Sequence, residues 1–330
     1  MTFVSGKENR IFVLYGEEPY LIDEFQKELV KKAVGDDPSP FDISLYDGEE
    51  TPLHEILEDA ETLPFLKESK VVLVTNPYFL TGTKPRGAVE QNVDILLPYL
   101  HNPAPFTYLV FRAAYPKLDE RKKIVKQLKQ TAVIKHATEL SEQELHQWVE
   151  KTAQKDEALI TVDARKVLLE RVGPSLRMLR EEIRKLSLYA EGTIEASMVD
   201  ELVPRTLDQN VFALMDDLQQ KKTDSAMLRY HDLLRQKEDP LKLLLLLASQ
   251  VRAMHQIDGL LKKGYGQAQV AKRLKLHPYR VKVLSTQLKS SSLDLSKMLF
   301  DLGQLDVQMK SGRVDKVLGF ELFLLQYSSR

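Results

Sequence analysis

The chain reads as a parallel α/β domain followed by helices alone. Three features of the sequence carry that reading. Short β-branched and aromatic runs alternate with amphipathic helical patterns through residue 140; strand signals then stop; and from Asn210 onward only long helical periodicities remain. With 330 residues the chain has length for two or three domains of about 150 residues. Boundaries are expected at 1–140, 141–210 and 211–330. Apolar residues at 43% and charged residues at 29% exclude wholesale disorder and fibrous repeats.

Strands are predicted at 11–15, 41–46, 71–74, 108–111 and 132–134. Most are near-continuous apolar runs, as parallel strands covered on both faces require. Between them, Leu21, Ile22, Phe25, Leu29, Val30 and Ala33 form one helical stripe, and Leu53, Ile56, Leu57, Ala60 and Leu63 a second. Ile124, Val125 and Leu128 mark a third, behind Arg121-Lys122-Lys123. The stretch 77–105 contains Gly82, Pro85 and Gly87 and is expected to begin as an exposed loop.

Ser141 with Glu144 forms a capping box that opens a helix with Leu145, Trp148, Val149 and Thr152 inward. Asp163 is expected to start the next helix and Gly173 to end it. Ser175 then caps a helix carrying Leu176, Leu179, Ile183 and Leu186 on one stripe, and a short helix near 195–203 stops at Pro204. Further on, Asp239-Pro240 is an N-cap followed by an N1 proline, and that pattern runs to Gly264. Helices are predicted near 267–276, 278–290, 293–310 and 313–328.

Several function classes fall away on composition. The chain has no cysteine, so disulfides, thiolate metal sites and cysteine nucleophiles are excluded. The longest apolar run, 243–248, is far short of the roughly 18 to 20 residues that span a bilayer. The N-terminus lacks a basic region followed by an apolar core, so no secretion signal is expected and the protein is read as soluble and cytoplasmic. The net charge of −1 hides an asymmetry: 211–330 holds 20 basic and 12 acidic residues, against 17 and 22 in 1–140. Such an excess suits an acidic partner, protein or nucleic acid; a solvated helical surface is the alternative.

The turn after the first strand is where a nucleotide-binding domain cradles phosphates. Laid on G-x-x-x-x-G-K-[ST], the first glycine is Gly16, but Leu21 replaces the second glycine, Ile22 the lysine and Asp23 the hydroxyl residue. Glu17, Glu18 and Asp23 repel a triphosphate, and Pro19 lacks a donor amide. The strand at 71–74 leads into Thr75-Asn76-Pro77, where a carboxylate would be needed to hold Mg²⁺. The seven histidines contain no H-x-x-x-H spacing, and no G-x-S-x-G elbow is present. No catalytic residue, metal site or cofactor is expected.

Two features suggest binding instead. Thr62-Leu63-Pro64-Phe65-Leu66 ends the second helical pattern, and an aromatic–aliphatic pair in so short a turn is a candidate plug for a partner's pocket. Alternatively, Phe65 tucks under the sheet edge. Residues 269–282 combine two short helices with Lys272, Arg273, Lys275, Arg280 and Lys282, as in a helix-turn-helix DNA reader; two packed helices of a bundle are the other reading.

Taken in order, several segments give the whole chain a resemblance to a known family. They begin with Leu14-Tyr15-Gly16-Glu17-Glu18-Pro19-Tyr20-Leu21, Ala60-Glu61-Thr62-Leu63-Pro64-Phe65 and Thr75-Asn76-Pro77-Tyr78-Phe79-Leu80. They continue with Lys117-Leu118-Asp119-Glu120-Arg121-Lys122-Lys123, Gln209-Asn210-Val211-Phe212-Ala213-Leu214 and Gly264-Tyr265-Gly266-Gln267. His277-Pro278-Tyr279-Arg280-Val281-Lys282 and Met309-Lys310-Ser311-Gly312 complete the set. The chain resembles the delta subunits of bacterial DNA polymerase III clamp loaders, particularly those of Bacillus-like bacteria.

The resemblance implies an AAA+-type α/β domain with a degenerate nucleotide site, a helical lid, and a helical collar that builds a ring with the tau/gamma ATPase and delta prime subunits. It implies a noncatalytic subunit of a DNA-directed DNA polymerase complex, which grips the sliding clamp (beta) and helps to open it for loading onto primed DNA. Carried over by position, the gripping motif falls on Leu63, Pro64, Phe65 and Leu66. Phe65 is then the aromatic anchor, and Leu63 or Leu66 its aliphatic companion, because this chain has Pro-Phe where a family member outside the group has Leu-Phe. Lys310 and Arg313, in a basic turn between two long helices, are candidates for DNA proximity. The alternatives are an active AAA+ ATPase and a DNA-binding protein using 269–282.

Overall fold

The computed structural model describes residues 9–65, 67–290 and 293–328. The chain divides into two compact units, Met1–Glu139 and Leu140–Arg330. In the first, β1 (Ile11–Gly16), β2 (Ile43–Asp47), β3 (Lys70–Thr75), β4 (Thr107–Ala113) and β5 (Val133–Ala137) form one sheet in the order β2-β3-β4-β1-β5, with every pairing parallel. Helices α1 (Pro19–Val34), α2 (Leu53–Glu61), α3 (Leu96–His101) and α4 (Lys123–Thr131) connect them.

Strand alternation sorts the sheet's side chains onto two faces. Ile11, Val13, Val72, Val74, Leu109 and Phe111 share a core with α2, α3 and α4. Phe12, Leu14, Val71, Leu73 and Val110 pack with α1 on the other face. This double cover is why the strands read as continuous apolar runs. The stretch after β3 departs from expectation. Tyr78–Leu80 is a buried 3-10 turn, with Phe79 edge-on to Phe111 at 5.9 Å, and exposed chain begins only at Gly82. Burial of three consecutive apolar side chains outweighs the Pro and Gly signals around them.

The second unit contains α5 (Glu142–Lys155), β6 (Leu159–Ile160), α6 (Val162–Val172), α7 (Leu176–Tyr189), β7 (Thr193–Ile194) and α8 (Ala196–Leu202). It continues with α9 (Leu207–Gln219), α10 (Thr223–Arg235), α11 (Pro240–Lys262), α12 (Gln267–Leu274), α13 (Pro278–Ser290), α14 (Leu295–Lys310) and α15 (Lys316–Ser328). Strands do not vanish after residue 140, because β6 and β7 pair in parallel. At two residues each they are too short for periodicity to reveal. The Ser141–Glu144 capping box forms, whereas α6 is capped by Thr161 and not by Asp163. Ser175 occupies the N-cap of α7 without a side-chain hydrogen bond. One apolar core joins α9 through α15, built on Leu214, Tyr230, Leu247, Met254, Leu302 and Phe320. Among the described residues no helix is long and apolar enough to cross a membrane.

Candidate functional site

The loop leaving α2 is set by the way that helix is held at both ends. At its start Pro52 offers no side-chain cap, and the side-chain Oε1 of the remote Gln91 accepts from the Leu53 amide at 2.7 Å. At its end the last carbonyls gain side-chain donors in turn. The Thr62 hydroxyl donates to Glu58 O at 2.8 Å, the buried Lys70 ammonium to Asp59 O, and the Thr107 hydroxyl to Ala60 O at 2.7 Å. Lys70 also pairs with the Asp59 carboxylate at 2.8 Å. Burial opposes ionisation of Asp59, but bonds from Lys70, Ser44 and Tyr46 outweigh it and hold the carboxyl below its ordinary range. The helix therefore stops on a rigid base, and Thr62 leaves it with extended backbone.

Beyond that base the side chains point to solvent. Leu63 is 73% exposed and Phe65 80% exposed, with the half-exposed Pro64 between them. Phe65 is not tucked under the sheet. Its ring lies 5.9 Å from that of Phe41, itself 68% exposed, and Leu45 on the edge strand β2 is 70% exposed. Leu66, the fourth residue expected here, lies outside the described residues. Phe41, in the turn before β2, and Leu45, on β2, both read as members of one apolar strand run at 41–46, and only the sheet order shows that this run is an edge.

The turn after β1 is built in the opposite way. The amides of Glu17 and Glu18 both donate to the Ala137 carbonyl, at 2.9 and 3.1 Å. Gly16 has φ +142°, and a Cβ there would lie 1.9 Å from that same oxygen. The Glu18 carboxylate caps α1 through the Tyr20 amide at 3.1 Å. Leu21 and Ile22 belong to the first turns of α1, with Ile22 buried, and Asp23 pairs with Arg112 at 2.6 Å. Glu139 is pushed up from its ordinary range by burial and then by the charges of Glu17 and Glu18. Donors that would face a phosphate thus serve the protein's own carbonyl, and carboxylates crowd the rest. Among the described residues no group of three or more His, Asp or Glu is arranged to hold a metal ion.

The remaining sequence-predicted residues lie in the second unit. Lys310 ends α14 and pairs with Asp306 at 2.8 Å, while Arg313 is exposed in the turn that Gly312, at φ +69°, allows. Helices α12 and α13 join the larger core through Val270, Ala271, Val281 and Leu284. Arg280 stacks over Phe212 at 5.5 Å, Arg273 lies over Tyr265 at 5.1 Å, and Lys282 pairs with Glu142. Those cations are engaged within the unit.

Comparison with known proteins bears on the whole chain. The family model for the DNA polymerase III delta subunit matches residues 12–138, and that for its C-terminal domain matches residues 208–327. The chain is 37% identical over 329 residues to DNA polymerase III subunit delta of Bacillus subtilis (strain 168), covering 99% of this chain and 95% of that one. It is 26% identical to the probable DNA polymerase III subunit delta of Aquifex aeolicus (strain VF5), covering 93% and 88%. Among solved structures, the Bacillus subtilis DNA clamp loader delta protein superposes with a TM-score of 0.84 at 38% identity, over 97% of this chain and 96% of that one. Matched by family in both units and by a relative along its full length, the chain belongs to the DNA polymerase III delta subunits, the delta proteins of the clamp loader.

Proposed function

We propose that this chain is the noncatalytic subunit that grips the sliding clamp and holds an opened clamp interface during loading onto primed DNA. Phe65 is the anchor, with Leu63 or Leu66 beside it and Pro64 stiffening the turn. Seating Phe65 and one leucine in an apolar clamp pocket contributes on the order of 2–3 kcal/mol per side chain. A grip of that size favours whichever clamp conformation fits it better, so the open form is selected by differential affinity.

The turn at Gly16–Asp23 supports a subunit that does not bind ATP productively, since its amides and helix start are already occupied. Hydrolysis then belongs to the tau/gamma ATPase partners, whose rearrangement exposes or hides the grip. The 211–330 segment is read as the collar that assembles with those subunits and delta prime. Exposed Phe300 and Val307 on α14, with Leu318 and Leu322 on α15, supply apolar surface for such assembly. Lys310 and Arg313 are read as lying near the DNA, and the site of action is the cytoplasm.

One observation carries the reading: in a member of this family, Phe65 stands 80% exposed on a loop anchored at its base. The test is binding of the full chain to the host's sliding clamp. Phe65→Ala is expected to weaken it by about 2 kcal/mol, roughly thirtyfold, with an unchanged circular dichroism spectrum. A folded variant with wild-type clamp affinity overturns the proposal.

A further inference from the structure

Two rings exposed side by side on separate segments need something to keep them at one spacing. Phe41 precedes β2 and Phe65 follows α2, and their centroids lie 5.9 Å apart with the planes at 52°. That is an ordinary aromatic pair geometry. With both rings more than two-thirds exposed, however, burial against the sheet does not hold them there. Such a pair would be expected to splay in water.

The structure supplies a tie beneath them. The Lys67 ammonium has three N–H donors and three acceptors around it: the Val34 carbonyl at the end of α1, the Asp37 carbonyl at 2.9 Å and the Asp42 carboxylate at 3.2 Å. Asp42 is adjacent to Phe41, and Lys67 lies two positions after Phe65. The same Asp42 oxygen accepts the Ser39 amide at 2.7 Å. Burial opposes ionisation of this carboxyl, but the bonds from Ser39 and Lys67 outweigh it and keep it charged. One cation thus joins the C-terminal end of α1, where positive charge is favoured, to the bases of both exposed rings.

We infer that Phe41 is the second tooth of the clamp grip and that Lys67 is its positioning residue, holding Phe41 and Phe65 at one spacing for a single apolar pocket of the sliding clamp. The inference rests on the clamp-gripping reading above. The clamp is the occupant because the Phe41 ring adjoins that of Phe65, the anchor of that reading, and both are exposed. Ordering the rings before contact removes part of the entropy that binding otherwise costs.

The test measures clamp affinity of the full chain by surface plasmon resonance for Phe41→Ala, Lys67→Met, Phe65→Ala, and Lys67→Met added to the Phe41→Ala/Phe65→Ala pair. Phe41→Ala and Lys67→Met are each expected to weaken binding about tenfold. With both rings removed, Lys67→Met is expected to have no further effect. A general loss of folding would not produce that non-additivity. Should Lys67→Met fail to fold, Phe41→Ala decides, because it alters an exposed side chain. Wild-type affinity for Phe41→Ala and Lys67→Met, alongside a weakened Phe65→Ala, overturns the inference and leaves the gripping reading standing. Wild-type affinity for Phe65→Ala as well removes both.

Discussion

Two turns of the same α/β unit treat their unsatisfied groups in opposite ways. The turn after β1 turns inward: its amides at Glu17 and Glu18 share the Ala137 carbonyl, and its helix is capped by its own glutamate. The turn after α2 gives the Glu58, Asp59 and Ala60 carbonyls side-chain donors from Thr62, Lys70 and Thr107, and leaves Leu63 and Phe65 in water. A ligand-binding capacity resides in whatever the fold leaves unpaired. In a phosphate loop backbone amides are left unpaired; after α2 it is apolar side chains that are left in water. The turn at the carboxyl end of β1 spends its amides within the chain, whereas the loop at the opposite end of the same sheet leaves apolar side chains in water.

The largest effect is expected at Gly16. Gly16→Ala forces a methyl against the Ala137 oxygen and demands φ +142° of an alanine, so a stability loss of about 3 kcal/mol or more is expected in urea unfolding. A near-neutral result would mean that the turn is looser than described. Next is the opposite turn, where truncation should spare stability and affect association. Leu63→Ala is expected to weaken clamp binding by about 1 kcal/mol with Tm unchanged, and an unaltered affinity would assign the aliphatic role to Leu66.

A third closed turn sharpens the contrast through pH. His277 at the start of α13 accepts the Tyr279 amide on Nδ1 at 3.1 Å, and burial pushes it down to about 4 from an ordinary 6.5. The unfolded chain therefore takes up a proton first. Stability from this group is complete above pH 6.5 and is lost as pH falls from there towards 4. His277→Asn retains a capping acceptor without the titration, so its Tm should vary less than wild type across that window. The smallest effect is expected from nucleotide. Millimolar MgATP should leave Tm unchanged, whereas a ligand present at a hundred times its Kd would add about 2.7 kcal/mol of stability.

Much of this architecture could be read from local pattern. The five strands, the capping box at Ser141 and Glu144, and the Asp239-Pro240 helix start all lie within a few residues of their predicted positions. The substitutions Leu21, Ile22 and Asp23 in the phosphate turn were visible as side-chain identities, and so was the aromatic at Phe65. The buried turn at Tyr78–Leu80 and the β6–β7 pair were not, because neither is long enough to establish a period.

Residue order alone specifies what depends on neighbours along the chain: where backbone can be extended or helical, where a helix starts, and which loops lack phosphate-binding side chains. Amphipathic spacing and caps act over three or four residues, so they are written locally. Long-range packing sets the rest: Ala137 takes the amides of Glu17 and Glu18, Lys67 reaches Val34, Asp37 and Asp42, and Phe41 stands beside Phe65. Those pairings form across the sheet edge and between separate connections. They follow from strand order, which no single stretch of sequence encodes.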